Sequence, residues 1–161
     1  MSITLYDIVT ILKIPIIGRS VSVLHHLTSN ETSDLLHRIL GILLDVVAQQ
    51  IRENWGSFVK LNWLKRTFMH MPNSVLNEEI EHISRVYLLF LLGCTLFVDK
   101  SGTLVLVAYL ILLNDLSMIG NYVWWAACLV YLYRQLDIAT RGDVKGIAGY
   151  LILLKVIILI S

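Results

Sequence analysis

Apolar positions along the chain fall into short blocks at helical spacing, separated by polar, Gly and Pro residues. Leu5, Ile8, Val9 and Leu12 share one helical face behind Thr4 and Asp7, a capping-box spacing. Pro15 and Gly18 then predict a turn, and the Ser, Thr, His and Asn residues of 19–33 predict loop. Ser33 or Asp34 suits the cap of one longer helix with Leu36, Ile39, Leu40, Leu43, Leu44 and Val47 along a face. Asn54–Ser57 should end it, and Leu61, Leu64 and Phe68 predict a further helix closed by Pro72. Asn77 ahead of Glu78, Glu79 and Glu81 marks a helix start, where the dipole favours negative charge. Its stripe runs through Ile80, Ile83, Tyr87, Phe90, Leu91 and Cys94.

Four denser apolar runs follow one another at Val86–Val98, Leu104–Leu113, Tyr122–Tyr133 and Ile147–Ile160. Asp99–Gly102 predicts a turn between the first two, Thr103–Val107 a brief extended segment, and Gly142 with Asp143 a helix stop followed by a cap. These runs are either core helices or membrane spans, and length separates the two. A span needs about 20 apolar residues, and a helix rises about 1.5 Å per residue. Extending Val86–Val98 upstream brings in Arg85, His82 and Glu81. Extending Tyr122–Tyr133 meets Arg134 and Asp137, and Lys155 interrupts the last run. The pattern therefore predicts an all-α bundle of roughly six to eight short helices that bury their apolar faces on one another.

Composition sharpens this only slightly. The 161 residues are 57% hydrophobic and 16% charged, which suits a domain whose apolar faces await further helices, or a membrane protein. A net charge of +1 argues against a strongly basic nucleic-acid binder. Cys94 and Cys128 both lie inside apolar runs and are expected as buried free thiols in a reducing compartment.

Candidate chemistry is sparse. The five His residues show no metal-ligand spacing, and no Cys-x-x-Cys is present. No Gly-rich phosphate loop or nucleophile elbow occurs. Trp124, Trp125, Tyr131 and Tyr133 are expected to cluster in the core. Arg141-Gly142-Asp143 reads as a helix junction. Arg134, Arg141 and Lys145 make a candidate basic interaction edge around the last turn.

Motifs add a resemblance. Tyr87–Gly93 with Leu96 and Phe97 is followed by Asp99, Ser101 and Gly102, then by Leu110, Leu113, Asp115 and Leu116. Gly120, Tyr122, Trp124, Ala127, Leu129, Leu132, Tyr133, Arg134 and Leu136 continue the series, with Ala148, Gly149 and Leu151–Leu154 beyond. In that order and spacing they resemble the plant mobile domain, also called the aminotransferase-like or MAIN-like family. Asn62–Phe68 and Ile3–Val21 resemble its earlier blocks. Trp125 departs from the family's usual Gly, and Lys155–Ser161 leaves its pattern. Residues 1–161 are thus expected to be a single partial domain, the amino-terminal portion of a longer one, and poorly soluble alone.

The resemblance implies a non-enzymatic nuclear protein in transposable-element silencing, genome stability and meristem maintenance. It implies protein partners, among them other plant mobile domain proteins or a type-seven phosphatase-like protein. The aminotransferase-like label invites a pyridoxal phosphate test. Lys145 and Lys155 share a predicted helix, but no phosphate cradle accompanies them, so no cofactor is expected. A small multi-span membrane protein and a transposon-derived nucleic-acid-binding module are the rival readings.

Overall fold

A computed structural model of the chain describes residues 17–23, 26–53, 56–69 and 77–140. The expected helix over Leu5–Leu12, the Pro72 stop, the Gly142–Asp143 junction and the Ile147–Ile160 run lie outside the described residues.

Helix α1, Ser29–Leu40, begins well before the expected cap. Thr28 is the N-cap: its hydroxyl accepts from the Glu31 amide at 3.3 Å, and its own amide donates to Glu31 Oε2 at 2.7 Å. A polar stretch that reads as loop is therefore the first turn of a helix, because a capping box satisfies donors that the turn leaves open. The backbone hydrogen bond and then the hydroxyl bond from Thr28 hold the Glu31 carboxyl below its ordinary pKa.

The single long helix expected here is in fact two. Gly41 sits at φ 68°, a left-handed C-cap whose N–H donates to the His37 carbonyl at 2.9 Å. A Cβ at this position would also lie 2.9 Å from the His82 ring. Helix α2, Leu44–Glu53, starts anew beyond this cap. The break leaves Leu43 70% exposed, whereas the periodicity had placed it on the buried stripe. Leu36, Ile39, Leu40 and Val47 are buried as expected.

A short strand β1, Phe58–Lys60, pairs antiparallel with β2, Leu104–Leu106, in the register Val59 to Val105. The extended segment read in Thr103–Val107 is β2, and β1 went unread because three residues carry too little alternation to register. Backbone bonds from Leu61 N to Thr103 O at 2.8 Å and from Val107 N to Ser57 O at 2.9 Å extend the ribbon at both ends. Apart from this ribbon and one isolated bridge, the regular elements among the described residues are helical, so the helical fold class stands.

Helix α3, Leu61–Met69, follows β1, and helix α4 spans Asn77–Leu91 from its acidic first turn. A π-helical turn, Leu92–Leu96, ends α4. After β2 the chain makes a 3-10 turn, Val107–Tyr109, and the four-residue helix α5, Leu110–Leu113. Helix α5 is too short to persist alone, so packing decides it. Val105 to Leu110 are all buried, against α1 and α4. Each fully buried Leu contributes about 2 kcal/mol. A second 3-10 turn, Leu116–Asn121, leads into helix α6, Trp124–Thr140. Among the described residues no helix is long and apolar enough to cross a membrane.

Candidate interaction site

The segment before α1 is tied to the start of α6. Arg19 N donates to Asn121 O at 2.7 Å, and Val123 N donates to Arg19 O at 3.0 Å, a parallel bridge between Arg19 and Tyr122. The Arg19 guanidinium lies 5.4 Å from the centre of the Tyr122 ring. Gly18 permits this approach, since a Cβ there would fall 2.5 Å from Asn121 O. From this anchor the chain runs alongside α6. Val21 and Val23 are half-buried against the core, and Ser20 and Ser22 alternate with them into solvent.

Segment and helix enclose a cleft of about 460 Å3. Phe97, Tyr109 and Tyr131 form its aromatic wall, and the small side chains of Ala126 and Ala127 leave the space open. Phe97 stacks on Tyr109 with centroids 4.6 Å apart and meets Tyr131 edge-on at 5.6 Å. The Tyr131 hydroxyl donates to Val98 O at 3.2 Å. Tyr109 differs: it is only 4% exposed, yet its hydroxyl makes no hydrogen bond among the described residues. Burial, reinforced by Tyr131 and Cys128, pushes its pKa far above the ordinary phenol, so it stays protonated and able to donate. Arg134 stands exposed at the mouth, without an ion pair among the described residues.

Behind the wall, Cys128 is buried, its Sγ 3.4 Å from Leu96 O, and burial pushes its thiol up to about 12. Cys94 corrects the expectation, because the π-helical turn rotates it to an exposed position. The expected cluster of Trp124, Trp125, Tyr131 and Tyr133 is also divided. Trp124 packs beside Tyr122 and donates to Ile119 O, Tyr131 joins Phe97, and Tyr133 is exposed. Seven residues of helix separate Trp124 from Tyr131, a rise of about 10 Å, too far for one cluster.

A second concavity of about 310 Å3 lies between α3 and α4. Leu64, Phe68, Ile83, Val86, Tyr87 and Phe90 line it, with Lys65 at its side. Its surface is almost wholly apolar.

Of the sequence-derived edge, Arg134 reaches the cleft, while Arg141 and Lys145 lie outside the described residues. Tyr109 and Phe97 were not singled out as site residues. The one signal was Tyr109 itself, a hydroxyl inside an otherwise apolar run. The carboxylates with lowered pKa serve caps and turns. Burial alone would raise the Asp99 pKa, but bonds from the Ser101 hydroxyl and the Leu104, Ser101 and Thr103 amides outweigh it. Among the described residues no group of three or more His, Cys, Asp or Glu side chains is placed to hold a metal.

Comparison with known proteins adds independent findings. The family described as plant mobile domain matches residues 1–158. The chain is 36% identical over 160 residues to Protein MAIN-LIKE 1 of Arabidopsis thaliana, covering 96% of the chain and 30% of that protein. It is 34% identical over 155 residues to Protein MAINTENANCE OF MERISTEMS of the same plant, covering 96% of the chain and 31% of that protein. A more distant relative, Serine/threonine-protein phosphatase 7 long form homolog, is 29% identical over 155 residues, 11% of its own length. The chain thus spans less than a third of the length of these relatives. No solved structure matches.

Proposed function

Because the chain belongs to the plant mobile domain family, we propose that it is a non-enzymatic protein-interaction module working in the nucleus. The process it serves is transposable-element silencing, genome stability and meristem maintenance, the last in keeping with the name of one relative. The observation that carries an interaction role is the cleft beside α6. It joins an apolar wall, the Tyr109 hydroxyl and an exposed cation, the mixture that recognition sites use for grip and orientation. No pair of a nucleophile and its base accompanies it among the described residues, and the three carboxylates of lowered pKa are absorbed by caps and turns.

The phosphatase name of the distant relative is not carried over, because the match spans 11% of that protein. The net charge of +1 gives little support to phosphate-backbone binding.

Proximity labelling with the full chain tagged in plant cells tests the reading. A nuclear signal with a reproducible set of labelled proteins is expected, together with raised transposable-element transcripts when the gene is removed. Retention of the chain in carbonate-washed membranes, or labelling indistinguishable from a free tag, would overturn it.

A further inference from the structure

We propose that the cleft docks an extended peptide carrying an aromatic anchor next to an acidic residue. The proposal rests on the interaction-module reading and names the class of partner that this site would take.

Main-chain geometry supplies the first argument. Arg19 uses its N–H and its carbonyl to reach Asn121 and Val123, but Ser20–Val23 make no backbone hydrogen bond among the described residues. Their side chains alternate between solvent and core, which is the pattern of a strand. A segment of alternating side chains with open donors and acceptors beside an apolar pocket suits strand addition, in which backbone bonds give affinity and pockets select side chains.

Cavity chemistry supplies the second. The Phe97–Tyr109 stack and the edge of Tyr131 present aromatic faces, and Ala126 and Ala127 leave room for a large flat side chain. Tyr109 lines the cleft, and its hydroxyl makes no hydrogen bond among the described residues, so it is open to a ligand as a donor. A peptide carbonyl would accept from it and fix the anchor's orientation. Arg134 at the mouth is a permanent cation with a fork geometry matched to carboxylate, so an Asp or Glu beside the anchor completes the fit.

The test selects a phage-displayed random heptapeptide library on the immobilised 161-residue chain. Enriched peptides are expected to share an aromatic residue flanked by Asp or Glu, and a fluorescein-labelled copy should bind saturably. Arg134→Glu should weaken that peptide by about tenfold or more and, on reselection, switch the flanking preference to Lys or Arg. Ala127→Trp should fill the cavity and abolish binding. Should that variant fail to fold, the exposed Arg134 substitution still decides, with an unchanged melting curve as its control. A consensus lacking the acid, or equal binding by Arg134→Glu, would overturn the proposal and leave nuclear partner capture standing. Conversely, a matching consensus without any nuclear partner would sink the cellular role and spare the site.

Discussion

The molecule has two concave apolar surfaces, and they differ in what they reveal. The groove between α3 and α4 is a dent in the cover of the core: its floor includes Leu64, at 0% exposure, and its rim includes Tyr87, at 62%. The cleft beside α6 is bounded by a separate segment and carries Arg134, the Tyr109 hydroxyl and unpaired main chain. Both would favour an apolar occupant. Only the cleft says how that occupant must be oriented and charged, because a few placed polar groups on an apolar wall fix a ligand's orientation. A purely apolar hollow specifies area alone.

The contrast can be broken by substitution. The largest expected effect is at the groove floor: Leu64→Ala should destabilise the chain by about 2–5 kcal/mol in urea denaturation. Val130→Ala at the cleft, where the side chain is 67% exposed, should change stability by about 0.5 kcal/mol or less. Equal losses at the two sites would erase the distinction between core cover and bounded cleft. Gly18→Ala comes next. Its Cβ would meet Asn121 O at 2.5 Å, so overpacking of about 1–3 kcal/mol is expected, with peptide binding lost alongside it. A Gly18→Ala chain of native stability and unchanged binding would show that the anchor does not build the cleft.

Asp99→Ala should cost about 1 kcal/mol by freeing the amides of Ser101, Thr103 and Leu104. Here pH gives the sign. The folded carboxyl titrates below its unfolded value of about 3.9, so its stabilisation is present above that pH and is lost as pH falls through the folded pKa. The difference between wild type and Asp99→Ala should therefore shrink under acid in paired urea titrations. A gap that widened in acid would contradict the assigned cause. The smallest effect belongs to the groove rim, where Tyr87→Gln should shift stability by about 0.5 kcal/mol or less.

Helical spacing made most of this architecture legible. The start of α4 at Asn77, the Asp99–Gly102 turn, the change from extended chain to helix between β2 and α5, and α6 all follow from local chemistry. What escaped were features decided by one residue or by distant contact. Thr28-x-x-Glu31 is a capping box inside a polar stretch, and Gly41 ends α1 within an unbroken apolar stripe. Strand β1 exists because β2 lies beside it, across more than forty residues of chain. The site was less legible still. Arg134 could be marked as a surface cation, but its company could not, since Tyr109, Phe97 and the Val21 segment meet it only through the tertiary fold.

Amide hydrogen exchange of the full chain, with and without saturating selected peptide, tests the central claim most directly. Free Ser20–Val23 amides should exchange rapidly, having no backbone partners among the described residues. Bound peptide should slow them as it pairs along the segment, and Arg134→Glu should remove that protection. Unchanged exchange at Ser20–Val23 under saturation would contradict the account.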